Sequence, residues 1–140
     1  MISFHYETQF ELPNEAQIEH WISQVIDSED KREGDINYIF CDDAYLHKLN
    51  VEFLNHDTLT DIISFDNSVG NELHGDIFIS VERVTDNATD FKVSFEEELR
   101  RVMVHGVLHY CGYKDKTEAD QDVMTLKENE KLKMFHVEQS

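Results

Sequence analysis

The stretch SFEEELRRVMVHGVLHYCGYKD, residues 94–115, decides how the rest of the chain is read. Ser94 followed by Glu97 is a capping box, in which the serine oxygen and the glutamate satisfy orphan amide donors, so a helix is expected to open there. Leu99, Val102, Met103 and Leu108 recur at helical spacing and form its buried stripe. Gly112 is a good residue to end it, because glycine adopts a left-handed backbone without steric cost. The helix therefore runs from Ser94 to about Cys111 and carries His105 and His109 in its last two turns.

Residues i and i+4 of a helix lie one above the other, with Cβ atoms about 5–6 Å apart, so the two imidazoles can converge on one ion. Asp115 brings a third donor on a different backbone path, just after the turn. Zinc takes histidine nitrogen and aspartate oxygen at roughly 2.0–2.2 Å, and three protein ligands leave a fourth position open, the arrangement of a catalytic site. Two surface histidines, or one core and one rim residue, would give the same spacing. Gly106 weighs towards a functional reason, since glycine inside a helix costs about 1 kcal/mol relative to alanine and calls for a close approach of backbone or ligand. A zincin protease needs glutamate directly after the first histidine as its base; Gly106 stands there, although a base could come from another segment. Cys111 is expected to be a small packed side chain facing away from the histidines.

With 140 residues, one proline, no Gly/Ser-rich linker and no internal repeat, the chain is expected to be a single domain spanning 1–140. The start, Met1 to Tyr6, alternates like a strand and lacks the basic and apolar regions of a signal peptide. No stretch reaches the roughly 18–20 apolar residues of a membrane span, and Cys41 and Cys111 give no disulfide framework, so a cytoplasmic location with no membrane partner is expected. The formal net charge of −18 argues against a nucleic-acid partner until its distribution is read. Residues 1–99 hold 5 basic and 23 acidic side chains, whereas residues 100–140 hold 7 of each. The basic set is Arg100, Arg101, Lys114, Lys116, Lys127, Lys131 and Lys133, which reads either as a solvated, salt-bridged helical surface or as phosphate-facing charge.

The patterning elsewhere gives an α+β protein. Ile2 to Glu7 reads as a strand, and Pro13-Asn14 opens a helix burying Ile18, Trp21, Ile22, Val25 and Ile26. After Gly34 a short strand covers Ile36 to Cys41, and Asp42 or Asp43 caps a helix with Leu46, Leu49 and Phe53 on one face. A polar turn, Asn55 to Thr58, leads to strands Asp61–Asp66 and Gly75–Val81, joined by a loop at Gly70-Asn71. Ile77-Phe78-Ile79 suggests a central strand buried on both faces. A short helix is expected over Val81–Ala88, and Thr117 with Asp120 opens a last helix carrying Val123, Met124 and Leu132.

The motif at His105, together with Leu49-Asn50, the segment Asp57-Thr58-Leu59-Thr60-Asp61-Ile62-Ile63-Ser64-Phe65, and Gly75-Asp76-Ile77-Phe78-Ile79-Ser80, resembles the YbeY family of bacterial rRNA maturation factors. The blocks match in order and approximate spacing from about residue 36 to 125. The resemblance implies a zincin-like fold, a small mixed four-stranded sheet packed with about five helices. It also implies a metal-dependent, single-strand-directed endoribonuclease acting in 16S rRNA 3′-end maturation, ribosome assembly and small-subunit quality control. Implied partners are 16S rRNA, the small ribosomal subunit and its proteins, and a ribosome-associated GTPase. The implied cofactor is one zinc per chain. The family pattern is typically H-G-x-L-H-x-x-G-Y-D-H, with three histidine ligands; here the last two positions are Lys114 and Asp115. Carboxylate for imidazole is allowed at zinc but lowers the site's net charge and admits manganese or another divalent ion more readily. Leu54 stands where the family commonly has an arginine thought to serve RNA binding or catalysis.

His105, His109 and Asp115 are thus the expected metal ligands, the two histidines acting in catalysis through the metal, and Arg101, Lys114 and Lys116 are the expected substrate-binding cations. For the segment Thr60–Phe65, one reading has Thr60 and Asp61 end the turn while Ile63 and Phe65 pack one sheet face; in the other, Asp61 or Ser64 edges the cleft and contacts an imidazole behind the metal or the substrate. Asp76 is read as a turn or cap residue, and His56 and His74 as solvated loop residues. The rival reading is a ribosome-assembly binding factor whose metal is structural and whose acidic first 99 residues dock basic ribosomal proteins. A metalloprotease or other hydrolase comes third.

Overall fold

The computed structural model describes residues 1–55 and 60–139, with side chains through Phe135. The elements run β1 (Ile2–Tyr6), α1 (Glu15–Ser28), β2 (Arg32–Cys41), α2 (Asp43–Leu54), β3 (Ile62–Asp66), β4 (Glu72–Ser80), α3 (Val81–Phe91), α4 (Phe95–Tyr110) and α5 (Glu118–Gln139). The sheet order is β1-β2-β4-β3, with β1, β2 and β4 parallel and β3 antiparallel to β4. This is the expected α+β architecture of a mixed four-stranded sheet and five helices.

Alternation along the strands builds two layers of unequal thickness. Ile36, Tyr38 and Phe40 of β2 and Leu73, Ile77 and Ile79 of β4 face α1, α4 and α5 in one large core around Trp21 and Met103. The opposite face carries a small cluster of Cys41, Leu46 and Ile63, with Leu49, Phe65 and Phe78 half-buried beside it under α2. Phe78 is therefore less deeply buried than its neighbours, and the central strand is fully sealed on one face only.

The helix α4 is set against the sheet by two devices. The buried Tyr38 hydroxyl donates to the Met103 carbonyl at 2.9 Å. Gly106 faces β3 and β4, where a Cβ would stand 3.0 Å from Ile77 Cδ1 and 3.2 Å from Ile62 Cδ1. Glycine lets the last turns of α4 lie close on the sheet, so its helix-propensity cost is offset by backbone approach.

Several boundaries and environments differ from the sequence reading. The strand expected from Ile36 begins at Arg32, because a register shift between Glu33 and Ile36 absorbs Gly34 within the pairing with β4. The β4 strand begins at Glu72, after a tight turn closed by the Val69–Glu72 bridge, and α3 continues to Phe91. His74 and Asp76 are therefore strand residues. His74 Nδ1 accepts from the Asp35 amide at 3.0 Å, and Asp76 Oδ1 accepts from Asn37 Nδ2 at 3.0 Å, so neither the loop nor the cap reading holds. Val123 is exposed, because the buried stripe of α5 runs through Met124, Glu128, Leu132 and Phe135. Phe53 is exposed too, meeting the Phe65 ring edge-on. Residues 56–59 of the expected polar turn, His56 included, lie outside the described residues.

Candidate metal centre

Ser94 caps α4 as expected, its Oγ accepting from the Glu97 amide at 3.1 Å. The other end closes on Gly112, whose φ is +106°. The Gly112 amide donates to the His109 carbonyl at 3.0 Å, and the Tyr113 amide to the Leu108 carbonyl at 3.1 Å. This pair of bonds is the Schellman ending, and it turns the chain back so that Asp115 comes alongside the last helical turns.

The structure brings His105, His109 and Asp115 together. The two Nε2 atoms are 2.9 Å apart, and Asp115 Oδ2 is 3.3 Å from each. An ion held at about 2.0–2.2 Å in tetrahedral geometry separates its ligand atoms by roughly 3.3–3.6 Å, so the two separations to Asp115 match those of a metal-bound triangle and the Nε2 pair stands slightly closer. The group could hold a metal ion.

Hydrogen bonding at the far side of each ring strengthens the fit. His109 Nδ1 lies 2.9 Å from the Tyr113 carbonyl, which can only accept, so Nδ1 carries the proton. His105 Nδ1 lies 2.6 Å from Glu128 Oε2, again an acceptor. With both rings neutral, unprotonated Nε2 lone pairs face one another at 2.9 Å, an arrangement relieved by a shared cation, whether a metal ion or a proton on His105. Carboxylate and carbonyl partners of this kind fix the tautomer and raise the basicity of a metal-binding imidazole.

The two supports have separate anchors. Glu128, on α5, is buried and bridges His105 to Arg101, which donates from Nη1 at 2.9 Å; Arg101 Nη2 also donates to Asn129 at 2.7 Å. Tyr113 is tied through its hydroxyl to Glu29 Oε1 at 2.6 Å, and Glu29 is paired with Lys131 at 2.8 Å and Lys127 at 3.2 Å. Lys131 is buried, so the expectation of a solvated basic surface fails there; its carbonyl also accepts from the Trp21 indole at 2.8 Å. Burial works against the Glu29 carboxylate, yet the hydrogen bonds from Lys131, Tyr113 and Lys127 hold it below the usual carboxylate range. Burial likewise opposes charge on His105, but the hydrogen bond and charge of Glu128, with Asp115 and Asp61, raise its pKa.

The three groups open into a cavity of about 410 Å³. Its walls are Thr60, Asp61, Ile62 and Ser64 at the start of β3, Glu98, Arg101 and Val102 on α4, and Glu128 on α5. Asp61 and Ser64 thus edge the cleft while Ile63 and Phe65 pack the other sheet face; the turn before Thr60 lies outside the described residues. Asp61 Oδ2 accepts from Asn87 on α3 at 3.3 Å; burial pushes its pKa up against the lowering influence of His105. Of the three expected substrate-binding cations only Arg101 lines the cavity, and its guanidinium is engaged by α5; Lys114 and Lys116 are exposed and outside the wall. Cys111 is half-buried against the core, where burial raises its thiol to about 11.

Glu98 and Glu128 were not picked out from the sequence, although a signal for each was there. Glu128 interrupts the apolar stripe of α5 between Met124 and Leu132, and Glu98 precedes His105 by two helical turns on the same face.

Comparison with known proteins adds a family. The model described as endoribonuclease YbeY matches residues 3–136. The endoribonuclease YbeY of Flavobacterium johnsoniae is 70% identical over 139 residues, covering 99% of this chain and 100% of that protein. The protein of the same name from Flavobacterium psychrophilum is 66% identical over 140 residues, all of both chains. That of Porphyromonas gingivalis is 46% identical over 115 residues, 82% of this chain and 76% of its own. The solution structure of TM1509 from Thermotoga maritima shares the fold, with a TM-score of 0.74 and 24% identity over 99% of this chain and 91% of that one.

Proposed function

The chain belongs to the endoribonuclease YbeY family, and from that premise we propose that it is a single-domain, metal-dependent endoribonuclease acting on single-stranded RNA through His105, His109 and Asp115. The observation that carries the metal assignment is the convergence of both Nε2 atoms and the Asp115 carboxylate on one point, with each Nδ1 turned away onto an acceptor. On this reading its work lies in 16S rRNA 3′-end maturation, with the small ribosomal subunit as the partner and a ribosome-associated GTPase as a further one. The proposed place of this work is the cytoplasm, where ribosomes are assembled; no described helix is long and apolar enough to cross a membrane.

Two imidazoles and a carboxylate suit zinc, and the oxygen donor makes manganese an acceptable substitute. A divalent ion, when bound, supplies Lewis acidity to a phosphate oxygen and lowers the pKa of water. The chain's own residues do the rest: Glu128 and the Tyr113 carbonyl orient the two rings, Asp61 and Ser64 shape the wall opposite α4, and Arg101 holds Glu128 in place.

One observation favours the rival binding factor: Leu54, 42% exposed, offers no cation at the position the family fills with arginine. Against a purely structural metal, the turn that carries Asp115 is already fixed by the Schellman bonds and by Tyr113 on Glu29. Metal removal by a chelator tests the two: a folded protein that no longer cleaves single-stranded RNA, and recovers with zinc or manganese, supports the enzyme. Unfolding on metal removal would support the clip.

A further inference from the structure

A metal-dependent hydrolase also needs a group to move protons, and position 106, where a zincin protease carries its glutamate, is packed against Ile62 and Ile77. Another carboxyl lies in the cavity. Glu98 is 5% exposed, lines the same wall as His105, and among the described residues no hydrogen bond or ion pair reaches its carboxyl. Its oxygens open onto the cavity rather than being sealed among apolar groups, so a carboxyl that no protein group engages is left to meet a bound molecule.

We propose that Glu98 is a catalytic residue of RNA cleavage, contacting the scissile phosphodiester and supplying the proton taken up by the leaving ribose oxygen. The inference rests on the endoribonuclease reading above. The attacking oxygen, from water or a ribose 2′-hydroxyl, forms the new bond to phosphorus and releases its proton to solvent. The bond from phosphorus to the leaving oxygen breaks, and its electron pair is captured by the Glu98 proton. The carboxylate left behind regains a proton from solvent before the next cycle.

The surroundings suit an acid that must hold its proton near neutrality. Burial raises the Glu98 carboxyl to about 7, and the charges of Asp61 before β3, Glu128 on α5 and Glu97 on α4 act in the same direction; Arg101 opposes them. The position also fits the face. Glu98, Val102, His105 and His109 follow one another at helical spacing on α4 and line the same cavity, so a phosphate drawn to the histidines lies along the row that begins at Glu98.

The test compares wild type and Glu98→Gln, both loaded with one zinc, on a single-stranded RNA oligonucleotide from pH 5 to 9. We expect kcat to fall by on the order of 10²-fold in Glu98→Gln, with KM within about threefold and the falling alkaline limb of the wild-type profile abolished. Metal content and circular dichroism should match wild type, since glutamine copies the shape of the protonated acid. Glu98→Asp should keep the alkaline limb at reduced rate. Wild-type activity and an unchanged pH profile in Glu98→Gln would overturn the assignment, as would loss of metal from that variant, which would make Glu98 a ligand. A zinc-loaded wild type that cleaves no RNA would overturn the endoribonuclease reading itself and the role of Glu98 with it.

Discussion

His105 and His109 aim the same nitrogen at the same space, yet they are held there in different ways. His105 rests on a side chain, Glu128, which comes from α5 and is itself fixed by Arg101. His109 rests on the main-chain carbonyl of Tyr113, four residues on, delivered by the helix ending. The first support is long-range and charged; the second is local and built into the backbone. Carboxylates crowd the His105 flank, where Asp61, Glu98 and Glu128 line one cavity, whereas the His109 flank is tied to a buried ion cluster behind the site. One half of the site is thus open to tuning by side-chain substitution, and the other is fixed by the fold.

The largest effect should come from removing either ring. His105→Ala and His109→Ala are each expected to take bound zinc from one per chain to none, measured by elemental analysis, while circular dichroism stays that of the wild type. Equal retention of metal by both variants would end the description of a shared centre. Next in size, Glu128→Gln should weaken zinc binding by about 10–100-fold, because the His105 ring loses its charged acceptor and Arg101 its partner. Tyr113→Phe leaves the carbonyl under His109 intact and removes only the hydroxyl that binds Glu29. It should cost about 1–2 kcal/mol of stability in urea titration, with zinc affinity within threefold of wild type. If the two variants weaken zinc equally, the contrast between side-chain and backbone support is wrong.

A pH dependence should separate the flanks further, on the metal-free protein. The folded-state pKa of Glu98 is about 7 against an ordinary 4.5, so folding favours its protonated form. Its contribution is fully present below pH 4.5 and is lost as pH rises through 7. Glu98→Gln abolishes that loss. The variant should therefore match wild type near pH 4.5 and exceed it by on the order of 2–3 kcal/mol at pH 8, read from urea midpoints at each pH. A difference that stays flat across this range would mean that Glu98 titrates normally.

The same division explains what the sequence makes legible. The local half of the site can be read directly: Ser94 and Gly112 bound the helix, the i, i+4 histidines share a face, and Asp115 follows the turn. Strand alternation likewise places Ile36, Tyr38, Phe40, Ile77 and Ile79 in the core. The long-range half is hidden because its partners stand far apart in the chain; Glu128 is 23 residues from His105, and Glu29 is 84 from Tyr113. A charged residue interrupting an apolar stripe, as Glu128 and Lys131 do in α5, signals a buried polar role without naming its partner. Strand starts at Arg32 and Glu72 were missed for a related reason. Pairing between β2 and β4, rather than local propensity, carries those ends.

The smallest expected effect tests whether the backbone half is as rigid as its bonds suggest. At φ +106°, Gly112 occupies a region that residues with a Cβ rarely adopt, yet a Cβ there would meet nothing within 4 Å. Gly112→Ala therefore adds backbone strain without a clash, of about 1–2 kcal/mol. The Schellman bonds resist relaxation on one side and the Tyr113 hydroxyl on Glu29 on the other, so the strain should appear as lost stability, with the ligand turn unmoved. A lower urea midpoint with zinc affinity unchanged within threefold is the expected outcome. A loss of affinity with unchanged stability would mean that the turn gives way before the fold does, and that His109 owes its aim to the metal rather than to the backbone.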